Sequence, residues 1–277
     1  MGASMAGHLL GAGYELHVNN RTKSKATDLL DAGAAWEATP GDVAAACDVT
    51  FSIVGFPPDV ESVYLSETGL IASAKPGSIL VDMTTSRPDL AASIAEAGRR
   101  KGVEVLDAPV SGGDVGARNG TLSIMVGGNR KTFDALGGLF ALMGANVVYQ
   151  GEAGSGQHTK MCNQIAIAGS MLGMCEALAY ARVSGLAPET VLQSITKGAA
   201  GSWSLDNLAP RILNKDYAPG FYIKHYIKDL GIALESAKAM HLEMPALETA
   251  KKLYDRLADE GFGDSGTQAL FEAYLKR

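Results

Sequence analysis

The sequence lacks the residues that mark a secreted, metal-binding or nucleic-acid-binding protein. Its three cysteines, Cys47, Cys162 and Cys175, each lie in an apolar segment, which predicts buried thiols and excludes a disulfide framework. The five histidines are scattered without the spacing of zinc ligands, so we expect no metal site. A formal charge of -6 excludes the basic surface that attracts nucleic acid or an anionic membrane.

A targeting segment and a clear membrane span are also lacking. No basic start is followed by an apolar run and a cleavage site, so we expect no secretory leader. The most apolar long segment, residues 165–181, contains Glu176 and many small residues, which favours a buried helix over a membrane span. These absences predict a cytoplasmic protein with neither a membrane nor a nucleic acid as its partner.

Apolar residues are abundant and are arranged in two different ways along the chain. Hydrophobic residues make up 47% of the 277 positions and charged residues 19%, which is typical of a well-packed globular protein. Strand and helix patterns alternate up to about residue 150, and only helical periodicity follows Gly151. We predict a Rossmann-type α/β domain with a mostly parallel sheet over residues 1–150 and an all-α domain over residues 151–277. Strands are expected at 14–18, 49–54, 78–83, 103–106, 122–126 and 146–149, and helices at 23–32, 60–65, 88–100 and 132–142.

The first strand of a dinucleotide-binding βαβ unit has no counterpart in the sequence. The chain opens where the phosphate-binding turn of such a unit should finish, and a helix follows that ends near Gly11. Gly2 falls at the place of the last glycine of a G-x-G-x-x-G fingerprint, at the helix N-terminus. We therefore expect the start to be shortened or misassigned, with an apolar strand ending in G-x-G upstream.

The loop Asn20-Arg21-Thr22 follows the expected strand at 14–18. A carboxylate at this place would hold the ribose of NAD, a role that Asn20 cannot fill as an acceptor pair. Arg21 can instead meet a 2′-phosphate, and Thr22 can add to that anion site or cap the next helix. The alternative is an exposed arginine and an ordinary cap. We predict NADP(H) as the cofactor, with NAD(H) as the alternative.

Two further loops follow expected strands. The run Thr84-Thr85-Ser86 places hydroxyl groups beside the sheet edge, or merely caps the helix that begins at Pro88. In the segment 107–113, a proline is followed by Ser111, Gly112 and Gly113, which expose a hydroxyl and successive backbone N–H groups. Such an arrangement suits a carboxylate, with a plain β-turn as the alternative reading.

The stretch GEAGSGQHTKMCNQ at 151–164 predicts a glycine-rich loop that enters a long helix. Residues three and four apart share a helix face, so Lys160, Asn163 and Gln164 present one ammonium and two amides in the same direction. Because one rigid helix supports all three polar groups, we take Lys160, Asn163 and Gln164 as candidate site residues. The alternative is a helix start with a solvated lysine. Gly169 and Gly173 on this helix allow a second helix to approach, which suggests subunit contacts.

Several motifs together resemble the β-hydroxyacid dehydrogenase family, which includes 3-hydroxyisobutyrate dehydrogenase and tartronate semialdehyde reductase. They are DAPVSGG at 107–113, GTLSIMVGG at 120–128, G-x-G-x-x-x-K-x-x-N-Q at 154–164 and IKDLGIAL at 227–234, and the resemblance covers essentially the whole chain. It implies a catalytic Lys160, a substrate-binding group at Ser111, Gly112, Gly113 and Asn163, and cofactor contacts at Thr85 and Lys228.

The resulting hypothesis is hydride transfer between NADP(H) and a small carboxylate-bearing 3-hydroxy acid or semialdehyde. Lys160 would donate or accept the hydroxyl proton, and Asn163 would orient it or the substrate. A homodimer or homotetramer is expected. The alternatives are a decarboxylating enzyme of the 6-phosphogluconate dehydrogenase type and a non-catalytic dinucleotide-binding protein, which would have no need of a proton donor.

Overall fold

The computed structural model describes residues 1–275. The chain divides into two compact units, unit 1 from Met1 to Lys160 and unit 2 from Met161 onward. Strands occur only in unit 1 among these residues, so the expected change from an α/β region to a helical region is confirmed. The eight strands are β1 His17–Val18, β2 Ala35–Trp36, β3 Val49–Ser52, β4 Ile79–Asp82, β5 Glu104–Asp107, β6 Val110–Ser111, β7 Leu122–Gly127 and β8 Gly144–Gly151.

The larger of the two sheets in unit 1 has the strand order β3-β4-β5-β7-β6, with β8 on β7. The pairs β3–β4, β4–β5 and β7–β8 are parallel, whereas β7 runs antiparallel to β5 and β6. The predicted mostly parallel sheet is therefore confirmed. The second sheet is a parallel pair of two-residue strands, β1 and β2. The expected strand at 14–18 is thus shorter than predicted, because β2 pairs with only two of its residues.

Helices cover the sheet of unit 1 on both faces. Successive β4 residues point to opposite faces, so Leu80 and Val81 belong to separate buried clusters, and Val105 and Leu106 on β5 do the same. The predicted helix at 88–100 is confirmed, with Pro88 in its first turn. The helices of unit 1 are α1 Gly2–Gly11, α2 Thr27–Asp31, α3 Pro40–Ala46, α4 Pro57–Leu65, α5 Leu70–Ser73, α6 Pro88–Arg100, α7 Gly113–Asn119, α8 Arg130–Ala135 and α9 Gly137–Met143, with a 3₁₀ turn at Lys23–Ala26.

Unit 2 packs around a single apolar core. Met171, Cys175 and Leu178 line the buried face of its long helix, and Tyr226 and Tyr254 stack edge to face at 5.0 Å. Its helices are α10 Ser155–Val183 (which begins in unit 1), α11 Pro188–Ile195, α12 Trp203–Asn207, α13 Ala209–Leu213, α14 Ile223–Ala239, α15 Pro245–Leu257 and α16 Glu272–Leu275, with a π turn at Ala258–Phe262 and a 3₁₀ turn at Thr267–Phe271.

Helix α10 alone, within residues 1–275, has the length and composition to cross a membrane, and 39% of its most apolar window is buried. Six buried residues of this helix belong to the apolar core of unit 2, namely Met161, Ala168, Met171, Met174, Cys175 and Leu178. The expectation of three buried thiols is wrong at one position, since Cys175 is buried and Cys47 half-buried, whereas Cys162 is exposed on α10. An apolar segment does not ensure burial of a cysteine, because Cys162 lies on the solvent-exposed face of its helix.

Candidate active site

The site in unit 1 is built from the carboxyl ends of β4 and β5. These strands are parallel and pair Asp82 with Asp107, so the loops that follow them leave the sheet at the same edge. Asp82 is 5% exposed and Asp107 is 4% exposed. Protein donors therefore replace water as the hydrogen-bond partners of both carboxylates, and each carboxylate fixes one part of the site.

Asp82 organises the loop after β4. Its Oδ1 accepts hydrogen bonds from the backbone N–H of Thr84 at 3.0 Å and from Ser52 Oγ at 3.2 Å. Burial raises the pKa of Asp82 to about 6, although these hydrogen bonds favour the charged form. The Thr84 hydroxyl in turn accepts from the backbone N–H of Val54 at 2.9 Å. The loop is thereby fixed to the end of β3, and Thr85 follows Thr84 directly, half-buried.

Asp107 organises the start of α10. Its two carboxylate oxygens accept from the backbone N–H groups of Gly154 and Gln157, each at 2.8 Å. Burial raises the pKa of Asp107, against the effect of these N–H donors. A Cβ atom at Gly156 would lie 2.6 Å from the Asp107 carbonyl oxygen, and one at Gly154 would lie 2.9 Å from the Pro88 carbonyl oxygen. The glycines of this motif therefore let the helix start lie directly against the sheet edge.

Lys160 lies one helical turn after Gln157 on α10 and is only 6% exposed. The alternative of a solvated lysine is thus wrong. A buried ammonium is costly unless its surroundings compensate it, so a lysine held in such a place is a candidate for proton transfer. His158, two residues earlier on the same helix, is exposed.

Ser111, Gly112 and Gly113 lie where β6 ends and α7 begins. Gly112 and Gly113 have φ values of +127° and +63°, which glycine alone adopts without strain. Gly112 occupies the N-cap position of α7 and provides no capping side chain. The segment is a helix start with open N–H groups and a half-buried serine, rather than an isolated β-turn.

The predicted cofactor residues near the chain start lie in unit 1. Gly2 opens α1, whose first turn contains no acidic residue and no side-chain cap, and a Cβ there would lie 2.9 Å from Ile53 Cγ2. Arg21 pairs with Asp59 at 2.9 Å, and its side chain is 79% exposed. Asn20 donates its side-chain N–H to the Thr22 carbonyl at 2.8 Å. The expected cap is wrong, because the Thr22 side chain makes no capping hydrogen bond.

Unit 2 connects Asn163, Gln164 and Lys228 through one buried carboxylate. Asn163 Nδ2 donates to Gln164 Oε1 at 2.7 Å, and Gln164 Nε2 donates to Asp229 Oδ2 at 2.5 Å. Lys228 Nζ lies 3.1 Å from Asp229 Oδ1, and its side chain is 12% exposed. Lys228 and Asp229 therefore form a largely buried pair and are not part of a solvated helix face. The Tyr226 hydroxyl also donates to the Gln164 carbonyl at 3.1 Å.

Two residues of these networks were missed as site residues. Asp229 adjoins Lys228 in the IKDLGIAL motif, and an acidic neighbour of a predicted cofactor contact was the available signal. Gln157 stands inside the glycine motif that precedes Lys160, but no periodicity distinguishes it from an ordinary helical glutamine. Over residues 1–275, no group of three or more His, Cys, Asp or Glu side chains could hold a metal ion.

The residues at this sheet edge fit a dinucleotide cofactor. Ser86 Oγ is buried and, among the described residues, makes no hydrogen bond, so a polar partner is missing beside the Thr84–Ser86 loop. The uncapped N-terminus of α1 suits a phosphate, and Arg21 presents a guanidinium at the end of β1. A dinucleotide would lie across the carboxyl ends of the parallel strands in such a fold.

Comparison with known proteins agrees with this arrangement. Residues 1–151 match the family model described as the NAD binding domain of 6-phosphogluconate dehydrogenase. Residues 154–274 match the one described as NAD-binding of NADP-dependent 3-hydroxyisobutyrate dehydrogenase. Together these two matches place dinucleotide-binding sequence along nearly the whole chain.

Individual relatives resemble the chain over most of their length. An uncharacterized oxidoreductase of Bacillus subtilis (strain 168) is 58% identical over 276 residues, which cover 100% of this chain and 96% of the relative. A probable mitochondrial 3-hydroxyisobutyrate dehydrogenase-like protein of Arabidopsis thaliana is 50% identical over 274 residues, which cover 99% of this chain and 82% of the relative. The solved structure of Mycobacterium tuberculosis 3-hydroxyisobutyrate dehydrogenase with L-serine matches with a TM-score of 0.92 at 27% identity. The match covers 99% of this chain and 96% of that structure's chain.

The chain belongs to the β-hydroxyacid dehydrogenase family. It is an oxidoreductase that uses a nicotinamide dinucleotide and acts on a small hydroxy acid.

Proposed function

We propose that the protein transfers hydride between NADP(H) and a small 3-hydroxy acid or its semialdehyde. The first substrates to test are 3-hydroxyisobutyrate and tartronate semialdehyde. The observation that carries this proposal is the burial of Lys160 on a helix whose start is fixed to the sheet edge by Asp107. The match of residues 154–274 to the 3-hydroxyisobutyrate dehydrogenase model supports the same substrate class.

In the direction of reduction, a bound nicotinamide cofactor would supply the hydride for the carbonyl carbon. The protein supplies the proton. Lys160 Nζ donates it to the developing alkoxide oxygen, and solvent then reprotonates the lysine. Its positive charge also stabilises the oxyanion before the proton moves. In oxidation, neutral Lys160 accepts the hydroxyl proton.

The remaining residues hold the substrate and the catalytic groups. The open N–H groups at Gly112 and Gly113, with the Ser111 hydroxyl, receive the substrate carboxylate. Asn163 orients the substrate hydroxyl or Lys160, and we assign Gln164 to the same surface through its contact with Asn163. Since both ends of the Gln164 amide are engaged within unit 2, its part is chiefly to hold Asn163.

Cofactor contacts are proposed at Gly2, Asn20, Arg21, Thr22, Thr85 and Lys228. NADP(H) is preferred over NAD(H), because Arg21 is exposed at the end of β1 and can exchange its contact with Asp59 for a 2′-phosphate. A decarboxylating enzyme acting on a phosphorylated sugar acid is the alternative, and it draws on the description of the model that matches residues 1–151.

A homodimer or homotetramer is proposed, in the cytoplasm, with α10 in the subunit contact. Seven exposed residues of α10 are spaced alternately four and three apart, which is the repeat of a helix that packs along another. An added Cβ at Gly169 or Gly173 would meet no atom within 4 Å, so this face has room for a partner. These seven positions are Cys162, Ala166, Gly169, Gly173, Glu176, Tyr180 and Val183, and His158 and Arg182 are exposed on α10 as well.

The assay that tests the function follows NADPH absorbance with methylmalonate semialdehyde, tartronate semialdehyde and succinate semialdehyde as substrates. We expect oxidation of NADPH with methylmalonate semialdehyde and tartronate semialdehyde, in which one carbon separates the carboxylate from the aldehyde, and formation of the matching 3-hydroxy acid. Absence of turnover with every semialdehyde, or release of CO₂ from 6-phosphogluconate instead, would overturn the proposal. Light scattering that gives a monomer would overturn the subunit contact separately.

A further inference from the structure

Gln157 is fully buried, and both ends of its side-chain amide bind the backbone of one loop. Its Oε1 accepts from the N–H of Ser86 at 2.9 Å, and its Nε2 donates to the carbonyl of Thr84 at 2.7 Å. These two partners flank Thr85, a proposed cofactor contact. Ser86 offers a donor and Thr84 an acceptor, so the side chain must supply one acceptor and one donor, as a carboxamide or a protonated carboxylic acid does.

The backbone of Gln157 is held as firmly as its side chain. Its N–H donates to Asp107 Oδ2 at 2.8 Å, and the neighbouring Gly156 has no room for a side chain against the Asp107 carbonyl. Lys160 follows three residues later, on the same face of the helix. One residue therefore connects the loop after β4, the end of β5 and the helical turn that bears Lys160.

We propose that Gln157 is a positioning residue that sets the place of the Thr84–Ser86 loop relative to Lys160. This inference rests on the proposed function, in which Thr85 contacts the cofactor and Lys160 moves the proton. Hydride and proton transfer to one carbonyl need both donors placed correctly at the same time, and a misplacement of about 1 Å costs roughly 100-fold in rate. A short bridge of two hydrogen bonds gives the loop this fixed position.

The test compares Gln157→Leu and Gln157→Glu with Gln268→Leu, a matched control. Gln268 is also a buried glutamine, at 1% exposure, and its Nε2 donates to the carbonyls of Asp216 and Ala218 in unit 2. The measurements are hydrogen exchange of the Ser86 amide, NADPH binding by fluorescence, steady-state kinetics across pH, and thermal unfolding.

For Gln157→Leu we expect faster exchange at Ser86, weaker NADPH binding and a kcat lowered roughly 10- to 100-fold. Both leucine variants should lose thermal stability, but Gln268→Leu should show none of these three effects. In Gln157→Glu, burial next to the Asp107 carboxylate favours the protonated acid, which restores the donor to Thr84. Its kcat relative to the wild type should therefore be highest at low pH and fall as pH rises, whereas the ratio for Gln157→Leu should stay low throughout.

Two different failures are distinguishable. If the wild type turns over a semialdehyde and Gln157→Leu matches the control in Ser86 exchange, NADPH binding and kcat, the positioning role is wrong and the proposed function stands. If the wild type turns over none of the semialdehydes, the proposed function fails and this inference falls with it.

Discussion

Asp82 and Asp107 lie opposite one another on adjacent parallel strands, and both carboxylates are almost completely buried. Asp82 binds the loop that bears Thr85, whereas Asp107 binds the start of the helix that bears Lys160. Burial raises the pKa of each, and the charge of Asp107 adds to the shift of Asp82. Two buried acids side by side reduce stability when ionised, so their place at the candidate site suggests that they are kept for positioning.

The first prediction concerns the pH dependence of stability at Asp82. Folding raises its pKa from 3.8 to about 6, so the native state binds more protons than the unfolded chain between these values. The contribution of Asp82 to the free energy of unfolding is therefore fully present below about pH 4 and is lost as the pH rises to about 6. Asp82→Asn keeps an oxygen for Thr84 and Ser52 without the charge. The variant should gain about 3 kcal/mol relative to the wild type between these pH values, in urea unfolding. A constant difference would contradict this.

The second prediction concerns Gly156. Substitution by alanine would place a Cβ against the carbonyl oxygens of Met125 and Asp107, which are backbone atoms and cannot move aside cheaply. We expect Gly156→Ala to lower the free energy of unfolding by about 1–3 kcal/mol. The control is Gly7→Ala on α1, where a Cβ meets nothing within 4 Å, and this should stabilise by about 0.5–1 kcal/mol. Equal effects of the two substitutions would show that the contact predicted at Gly156 does not exist.

The third prediction concerns Asp229 in unit 2. Its carboxylate receives the Gln164 amide and faces the ammonium of the mostly buried Lys228. Asp229→Ala removes both interactions, and we expect a loss of about 3–5 kcal/mol in unfolding free energy. Asp229→Asn keeps an acceptor for Gln164 and should lose less. A loss below about 1 kcal/mol for Asp229→Ala would contradict the network.

The fourth prediction concerns cofactor choice. A guanidinium–phosphate contact contributes about 1.5–3 kcal/mol, so Arg21→Ala should weaken NADPH binding by roughly 10- to 100-fold and leave NADH binding nearly unchanged. Arg99, whose side chain is 78% exposed against 79% for Arg21, provides the matched control. Arg99→Ala should alter neither affinity. Tighter binding of NADH than NADPH, insensitive to Arg21→Ala, would reverse the preference.

The fold was predictable where local sequence decides it. The helix at 88–100 has a proline in its first turn and an amphipathic pattern, and the observed bounds are Pro88–Arg100. The two-residue strands β2 and β6 were not predicted, because they exist only through pairing with β1 and β7. Helix α7 was also missed, since it follows directly from Gly112 and Gly113 in a segment that reads as a turn.

The sequence motifs identified individual candidate residues of the site, but not the hydrogen bonds that connect them to distant parts of the chain. Lys160, Asn163 and Gln164 are grouped by helical spacing, which is a local property. The hydrogen bond between Gln164 and Asp229 joins residues 65 apart, and that between Gln157 and Ser86 joins residues 71 apart. Such contacts depend on how the elements pack, and a single sequence contains no periodic signal for them.

The central claim is that Lys160 moves the proton, and Lys160→Met tests it most directly. Methionine preserves the length and apolar stem of the buried side chain and removes only the ammonium, so the fold and NADPH binding should be retained. We expect kcat for semialdehyde reduction to fall by about 10²–10⁴-fold, with the NADPH dissociation constant changed by less than about threefold. Near-normal turnover in this variant would remove Lys160 from catalysis and contradict the account.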